Sequence, residues 1–152
     1  MIPTLILRHR KENLKKCSLR GLENREDFRF LSYPCTEWPD LNGYCLLTLN
    51  APILSEADAH LGLFLLDGTW KYAEKMESSL PKKTSLTYRT LPKYFRTAYP
   101  RYQTNCADPE RGLSSIEALY IAFLLTRRNV EPLLEHYYWK EEFLKKNNLE
   151  IR

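Results

Sequence analysis

Glycine is scarce in this sequence: five residues in 152, none spaced as G-x-G-x-x-G or G-x-x-x-x-G-K-[ST]. The backbone cradles that hold dinucleotides and nucleoside triphosphates are therefore missing. A G-x-S-x-G elbow is missing too, and His9, His60 and His136 stand in no nucleophile motif, so acyl transfer has no support. His60 and His136 read as surface helix positions. His9, inside a basic cluster, is the histidine worth testing. The cysteines, Cys17, Cys35, Cys45 and Cys106, include no C-x-x-C pair. That argues against a metal site and for reduced thiols packed as small hydrophobes. No apolar run approaches the roughly 18 residues of a membrane span. The first residues place their apolar stretch ahead of their charges, the reverse of a secretion signal, and the expectation is a cytoplasmic protein. Aromatic residues at 12% exclude a disordered or low-complexity chain. The length suits one domain over residues 1–152, with no room for separate cofactor and substrate lobes.

The most informative absence is of acid. Between Glu77 and Asp108 there is no Asp or Glu, while Lys82, Lys83, Arg89, Lys93, Arg96 and Arg101 all fall there. Removing those six from the 23 basic residues leaves 17 against 19 acidic ones, so the net charge of +4 lies wholly in this stretch. A second basic block, Arg8, Arg10, Lys11, Lys15, Lys16 and Arg20, is relieved only by Glu12. Two such blocks on a near-neutral body imply a polyanion-binding face. Tyr88, Tyr94, Phe95, Tyr99 and Tyr102 interleave with the first block. Charges can follow a phosphate backbone while aromatic faces stack on unpaired bases, which points to RNA. Equally, some of these rings belong to a core and the lysines to a solvated face.

Short apolar runs alternate with helical patterns. Pro3–Leu7, Phe28–Tyr33, Tyr44–Leu49, Gly62–Leu66 and Ser85–Thr90 read as strands, several too continuously apolar for a sheet covered on one face. Ser55 can cap a short helix over Glu56–His60, and Thr69 another through Trp70, Ala73 and Met76. Ser114 and Glu117 form a capping box ahead of Ile116, Leu119, Tyr120, Phe123 and Leu124, an amphipathic helix that stops near Arg127-Arg128. A last helix is expected over about 132–147. The fold class is α/β with a mainly parallel sheet flanked by helices and a helical tail. The polar stretch 99–113 is long for a connection in a small domain and reads as functional.

Ligands of open parallel sheets sit beyond the carboxyl ends of the strands. Leu63-Phe64-Leu65-Leu66-Asp67-Gly68 has that form, a buried strand ending in an acid and a glycine. Asp67 either serves a ligand there or caps the helix that follows.

The segment Asp67-Gly68-Thr69-Trp70, with Ala73, Lys75 and Met76, resembles the DGTWxxAxKM signature of DTW-domain proteins. Lys15-Lys16-Cys17-Ser18 with Gly21-Leu22 resembles the opening element of the related ribosomal small-subunit RNA aminocarboxypropyltransferases. Leu91-Pro92, Ala98-Tyr99-Pro100 and Tyr102, Leu113-Ser114 with Glu117-Ala118-Leu119, and Trp139 with Phe143-Leu144 and Asn147 are similar to later elements of that family, in family order. The resemblance implies a SPOUT-like fold with a C-terminal trefoil knot. It implies transfer of the 3-amino-3-carboxypropyl group of S-adenosylmethionine to a uridine or pseudouridine nitrogen of RNA, with methylthioadenosine released. The DGTW element leans toward the branch that includes tRNA enzymes, whereas both ends of the chain lean toward small-subunit rRNA.

By the same resemblance Asp67 is the catalytic candidate, as general base or as the group that orients the target base. Ser18 would hold the amino acid portion of the cofactor. Trp70 and Ala73 would wall off its methyl group, and Leu66, Leu91, Tyr102, Leu113, Ser115 and Ala118 would line the adenosine pocket. Leu113 and Ala118 read equally well as core. RNA contacts fall to Arg8, Arg10, Lys11, Lys15, Lys16, Lys82, Lys83, Arg89, Lys93, Arg96 and Arg101. The expected protein is a monomer without a metal. An RNA methyltransferase and a non-catalytic RNA-binding assembly factor are the alternatives.

Overall fold

The computed structural model describes residues 2–9, 19–67, 70–82, 84–98, 113–131 and 133–149. Among the described residues, five strands, β1 (Thr4–His9), β2 (Phe28–Tyr33), β3 (Tyr44–Leu47), β4 (Gly62–Asp67) and β5 (Thr87–Arg89), form one sheet in the order β2-β1-β4-β3-β5. Every pairing is parallel. Among the same residues, α1 (Trp70–Ser78) lies between β4 and β5, and α2 (Ser115–Leu125) and α3 (Lys140–Lys146) follow β5. Single 3₁₀ turns occupy Leu22–Asn24 and Glu56–Asp58, the latter capped by Ser55 as expected.

The continuous apolar runs are explained by burial on both faces. Ile6, Cys45, Leu47, Leu63 and Leu65 face a core shared with α2, α3 and the turn at Leu22. Their neighbours Leu5, Leu7, Leu46 and Phe64 face a second core with Met76, Leu80 and Leu41. Each such side chain contributes about 1.5–3 kcal/mol. A slip of one residue would exchange the two faces, so the register is tightly specified. Gly62 is required by packing: a Cβ there would lie 2.5 Å from the Tyr44 ring and 2.6 Å from Ile2.

α2 begins where the Ser114–Glu117 capping box places it, with both reciprocal bonds formed. It ends in a left-handed residue, Arg127 at φ 61°, after which the Arg128 amide bonds back to the Phe123 carbonyl at 2.8 Å. The Arg128 side chain turns inward and donates to the Thr126 hydroxyl and the Leu61 carbonyl.

The expected helix over 132–147 is corrected to Lys140–Lys146 alone. Before it, Tyr137 and Lys140 make i to i−3 bonds to Leu134 and Tyr137. Tyr137 is drawn inward to give its hydroxyl to the buried Glu117, and that contact outranks the helical periodicity. β1 runs two residues beyond the expected Leu7, which brings Arg8 and His9 into the sheet. β3 and β5 are shorter than expected. The cap at Thr69 and nearly all of the 99–113 stretch lie outside the described residues.

Cys45 is fully buried. Burial, then the charge of Asp58, push its thiol up to about 11 against the pull of Arg89 and Arg128. At neutral pH it stays protonated and inert. Native-state alkylation read by peptide mass spectrometry is expected to label Cys35 and spare Cys45 until the protein is unfolded.

Candidate active site

The connections leaving β1 and β4 run in opposite directions, to β2 on one side and to β5 beyond β3 on the other. The crevice between the carboxyl ends of β1 and β4 is therefore the switch point at which parallel sheets bind ligands. Two charged residues occupy it. Arg8 and Asp67 are register partners across β1 and β4. Alternation along the strands turns both toward the α2 face, with Ile6 and Leu65 below them.

Asp67 is 3% exposed. Its Oδ2 accepts from Arg8 Nε at 3.2 Å and its Oδ1 from the Ser115 hydroxyl at 2.6 Å. Asp67 thus joins β1, β4 and the first turn of α2, while the residues at the cap of α1 lie outside the described ones. Arg8 donates from Nη1 to Glu23 Oε2 at 3.0 Å and lies over the Phe30 ring, 4.5 Å from its centroid. Glu23 in turn accepts the Gly21 amide at 2.7 Å through Oε1, where Gly21 takes the left-handed turn that brings the chain back. His9, also at the end of β1, is buried and stacks on Tyr33 with centroids 5.2 Å apart.

Burial raises the Glu23 carboxyl, but its own and Gly21's backbone amides together with Arg8 outweigh this and hold it below its ordinary 4.5. A carboxyl lowered in the folded state adds stability above its unfolded value, and that stability is lost as pH falls through the folded one. Glu23→Gln is accordingly expected to lower stability at neutral pH and to flatten the acid limb of a pH–stability curve below about 4.5, so that urea unfolding shows the variant and the wild type converging in acid.

The same first turn of α2 carries a second buried acid. Glu117 is 0% exposed and accepts four hydrogen bonds: Thr97 Oγ1 at 2.6 Å, Ala98 N at 2.8 Å, Ser114 N at 2.8 Å and Tyr137 Oη at 2.9 Å. From α3, Asn147 bonds both backbone groups of Arg96. The start of α2 therefore ties together β4, the 97–98 segment and the residues leading into α3.

The expected site residues divide clearly. Asp67, Ser115 and Arg8 meet, although Arg8 had been assigned to RNA. Its side chain is instead enclosed by ion pairs with Asp67 and Glu23, since a cation at the end of a doubly covered strand needs buried partners. Arg89, likewise assigned to RNA, is paired with Asp58 through Nε at 3.2 Å. Leu91, Leu113 and Ala118 are half-buried on the α2-side core, whereas Leu66 packs on the opposite face. Ala73 is half-buried on α1, and only the backbone of Trp70 is described, as the first residue of that helix. Lys82, Lys93 and Arg96 are exposed. Ser18, Arg10, Lys11, Lys15, Lys16, Lys83, Arg101 and Tyr102 lie outside the described residues. No group of metal-ligating side chains occurs among the described residues.

No sequence pattern singles out Glu23, and Glu117 is read there as half of a capping box and as part of the family resemblance, not as a buried hub. The signal for Glu117 was the acid inside an otherwise apolar helix face. Glu23 had none, because its partner is fifteen residues away in the chain.

No family model matches the sequence, and no curated protein matches it by sequence. The fold is shared with a solved structure, the SAM-dependent rRNA:acp-transferase Tsr3 from Vulcanisaeta distributa, at TM-score 0.72 and 23% identity over 97% of this chain and 80% of that one.

Proposed function

We propose that this protein is an S-adenosylmethionine-dependent aminocarboxypropyltransferase acting on a uridine or pseudouridine of small-subunit rRNA. The observation that carries the reading is Asp67. It is a buried carboxylate fixed by Arg8 and Ser115 at the switch point of a fold shared with an rRNA:acp-transferase.

The described residues fit the cofactor. Leu91, Leu113 and Ala118, half-buried on the core that holds Ile6 and Leu65, offer apolar surface for an adenosine ring. When bound, S-adenosylmethionine supplies an electrophilic carbon next to its sulfonium and a methylthioadenosine leaving group. The chain supplies placement. Arg8 on Oδ2 and Ser115 on Oδ1 hold the plane of the Asp67 carboxylate, and a carboxylate held at this strand end is suited to accept the N–H of the target base and aim its nitrogen. The geometry favours this orienting role, because the donors on both sides hold the group still. Ser18, Tyr102 and the Trp70 ring keep the roles the resemblance gives them. The trefoil knot belongs to the same reading. What supports it is the return of the chain from β5 at the sheet edge to β4 in the middle, where Ser115 reaches Asp67.

One observation favours a non-catalytic RNA-binding factor instead: both Asp67 oxygens are engaged as they would be in a purely structural clip. Calorimetric titration with S-adenosylmethionine separates the two. One binding event is expected, and a flat trace alongside salt-sensitive RNA affinity favours the binding factor.

A further inference from the structure

A cleft of about 400 Å³ opens between α2 and α3, apart from the residues assigned to the chemistry above. Its floor is apolar, made by Tyr120, Val130, Leu134 and Leu144. All four belong to the buried core on the α2 side of the sheet, so the cleft reaches that core from outside. The volume lies near the lower bound of the about 300–1,000 Å³ range of ligand sites and suits a side chain with the backbone that carries it.

The rim of the cleft is charged. Glu131 and Glu135, both exposed, line it together with the half-buried Lys140. Two carboxylates against one ammonium leave the rim negative. The ion pairs formed among the described residues engage other acids, namely Glu23, Asp27, Glu56, Asp58 and Asp67. Glu141 and Glu142, close by in sequence, lie in the first turn of α3 and complement its dipole. Glu131 and Glu135 stand on no helix and have no such duty.

This sign is the reverse of the acid-free stretch. A phosphate backbone is repelled at such a rim, whereas a basic segment is drawn to it. An apolar floor below calls for an apolar anchor as well, which a free polyamine lacks.

We propose that the cleft is a docking site for a basic protein segment, one that seats an aliphatic side chain between flanking lysines. The aliphatic group covers Val130, Leu134 and Leu144, and the lysines meet Glu131 and Glu135. Anchor and charge together give the specificity, as in other peptide-binding grooves. The proposal stands apart from the transferase reading, since the cleft shares no residue with the Asp67 site.

The test adds a fluorescein-labelled Lys-Lys-Leu-Lys-Lys peptide to the full chain and follows its anisotropy. Saturable binding at one site is expected. Glu131→Gln combined with Glu135→Gln is expected to weaken it about fivefold to tenfold with the thermal midpoint unchanged. Glu141→Gln combined with Glu142→Gln removes the same charge outside the cleft lining, and a loss below about twofold is expected. Replacing the leucine of the peptide by alanine is expected to cost about tenfold, an arm that leaves the protein itself untouched. Absence of binding overturns the proposal and makes the cleft a packing gap. Equal losses from the two pairs of variants, or indifference to the leucine, also overturn it, because charge alone then accounts for the attraction. Displacement of the peptide by spermidine at equal concentration overturns it in favour of a free polyamine.

Discussion

Glu117→Ala is expected to be the most destabilising single change in this protein, by about 3–5 kcal/mol. The carboxylate is fully buried, and its removal takes an acceptor from the Thr97 hydroxyl, the Ala98 and Ser114 amides and the Tyr137 hydroxyl. Each buried donor left without a partner costs about 1–3 kcal/mol. Relief from burying a charge returns part of that sum, which is why the expected total lies below the simple addition. Against a stability of about 5–15 kcal/mol for a domain, the variant sits near the limit of folding. Glu117→Gln keeps the shape but turns an NH2 group toward donors, and about half the loss is expected. Urea unfolding at neutral pH measures both. A loss under about 1 kcal/mol for the alanine variant would mean that the hub carries no weight.

The second large effect is on catalysis. Asp67→Asn is expected to lower single-turnover transfer about 10²–10³-fold, the scale for losing a positioned catalytic group. An amide cannot accept from both Arg8 and Ser115 with both heteroatoms, so the group that aims the base is turned or displaced. Arg8 keeps its Glu23 partner at 3.0 Å, so the fold survives better than with Arg8 left wholly unpaired. Activity should therefore fall far more than the thermal midpoint does. If single-turnover transfer persists within about threefold of wild type, Asp67 is a structural clip and the binding-factor reading gains.

Much of this architecture was legible in local pattern. β2 over Phe28–Tyr33 and the Ser114-capped start of α2 fall where alternation and capping place them. Asp67 stood out because an acid at the end of an apolar strand is conspicuous. What local pattern could not supply was the partner of each charge. Arg8 and Arg89 sit in basic company along the chain, so they looked like phosphate ligands. Their carboxylates, Glu23, Asp67 and Asp58, come from elsewhere in the fold and consume them. The tail failed in the same way: Leu133, Leu134 and Tyr137 have helical spacing, but the long-range pull of Glu117 on Tyr137 decided the backbone. The basic face that remains among the described residues is narrower than the charge count suggested, with Lys82, Lys93 and Arg96 exposed.

The central claim is the group transferred, and isotopic label tests it most directly. The protein is incubated with unmodified small-subunit rRNA and S-adenosylmethionine labelled in the carboxyl carbon, or separately in the methyl group. The account predicts carboxyl label on the RNA, methyl label only in released methylthioadenosine, and equal amounts of the two products. Methyl label on the RNA, with no methylthioadenosine formed, would contradict it.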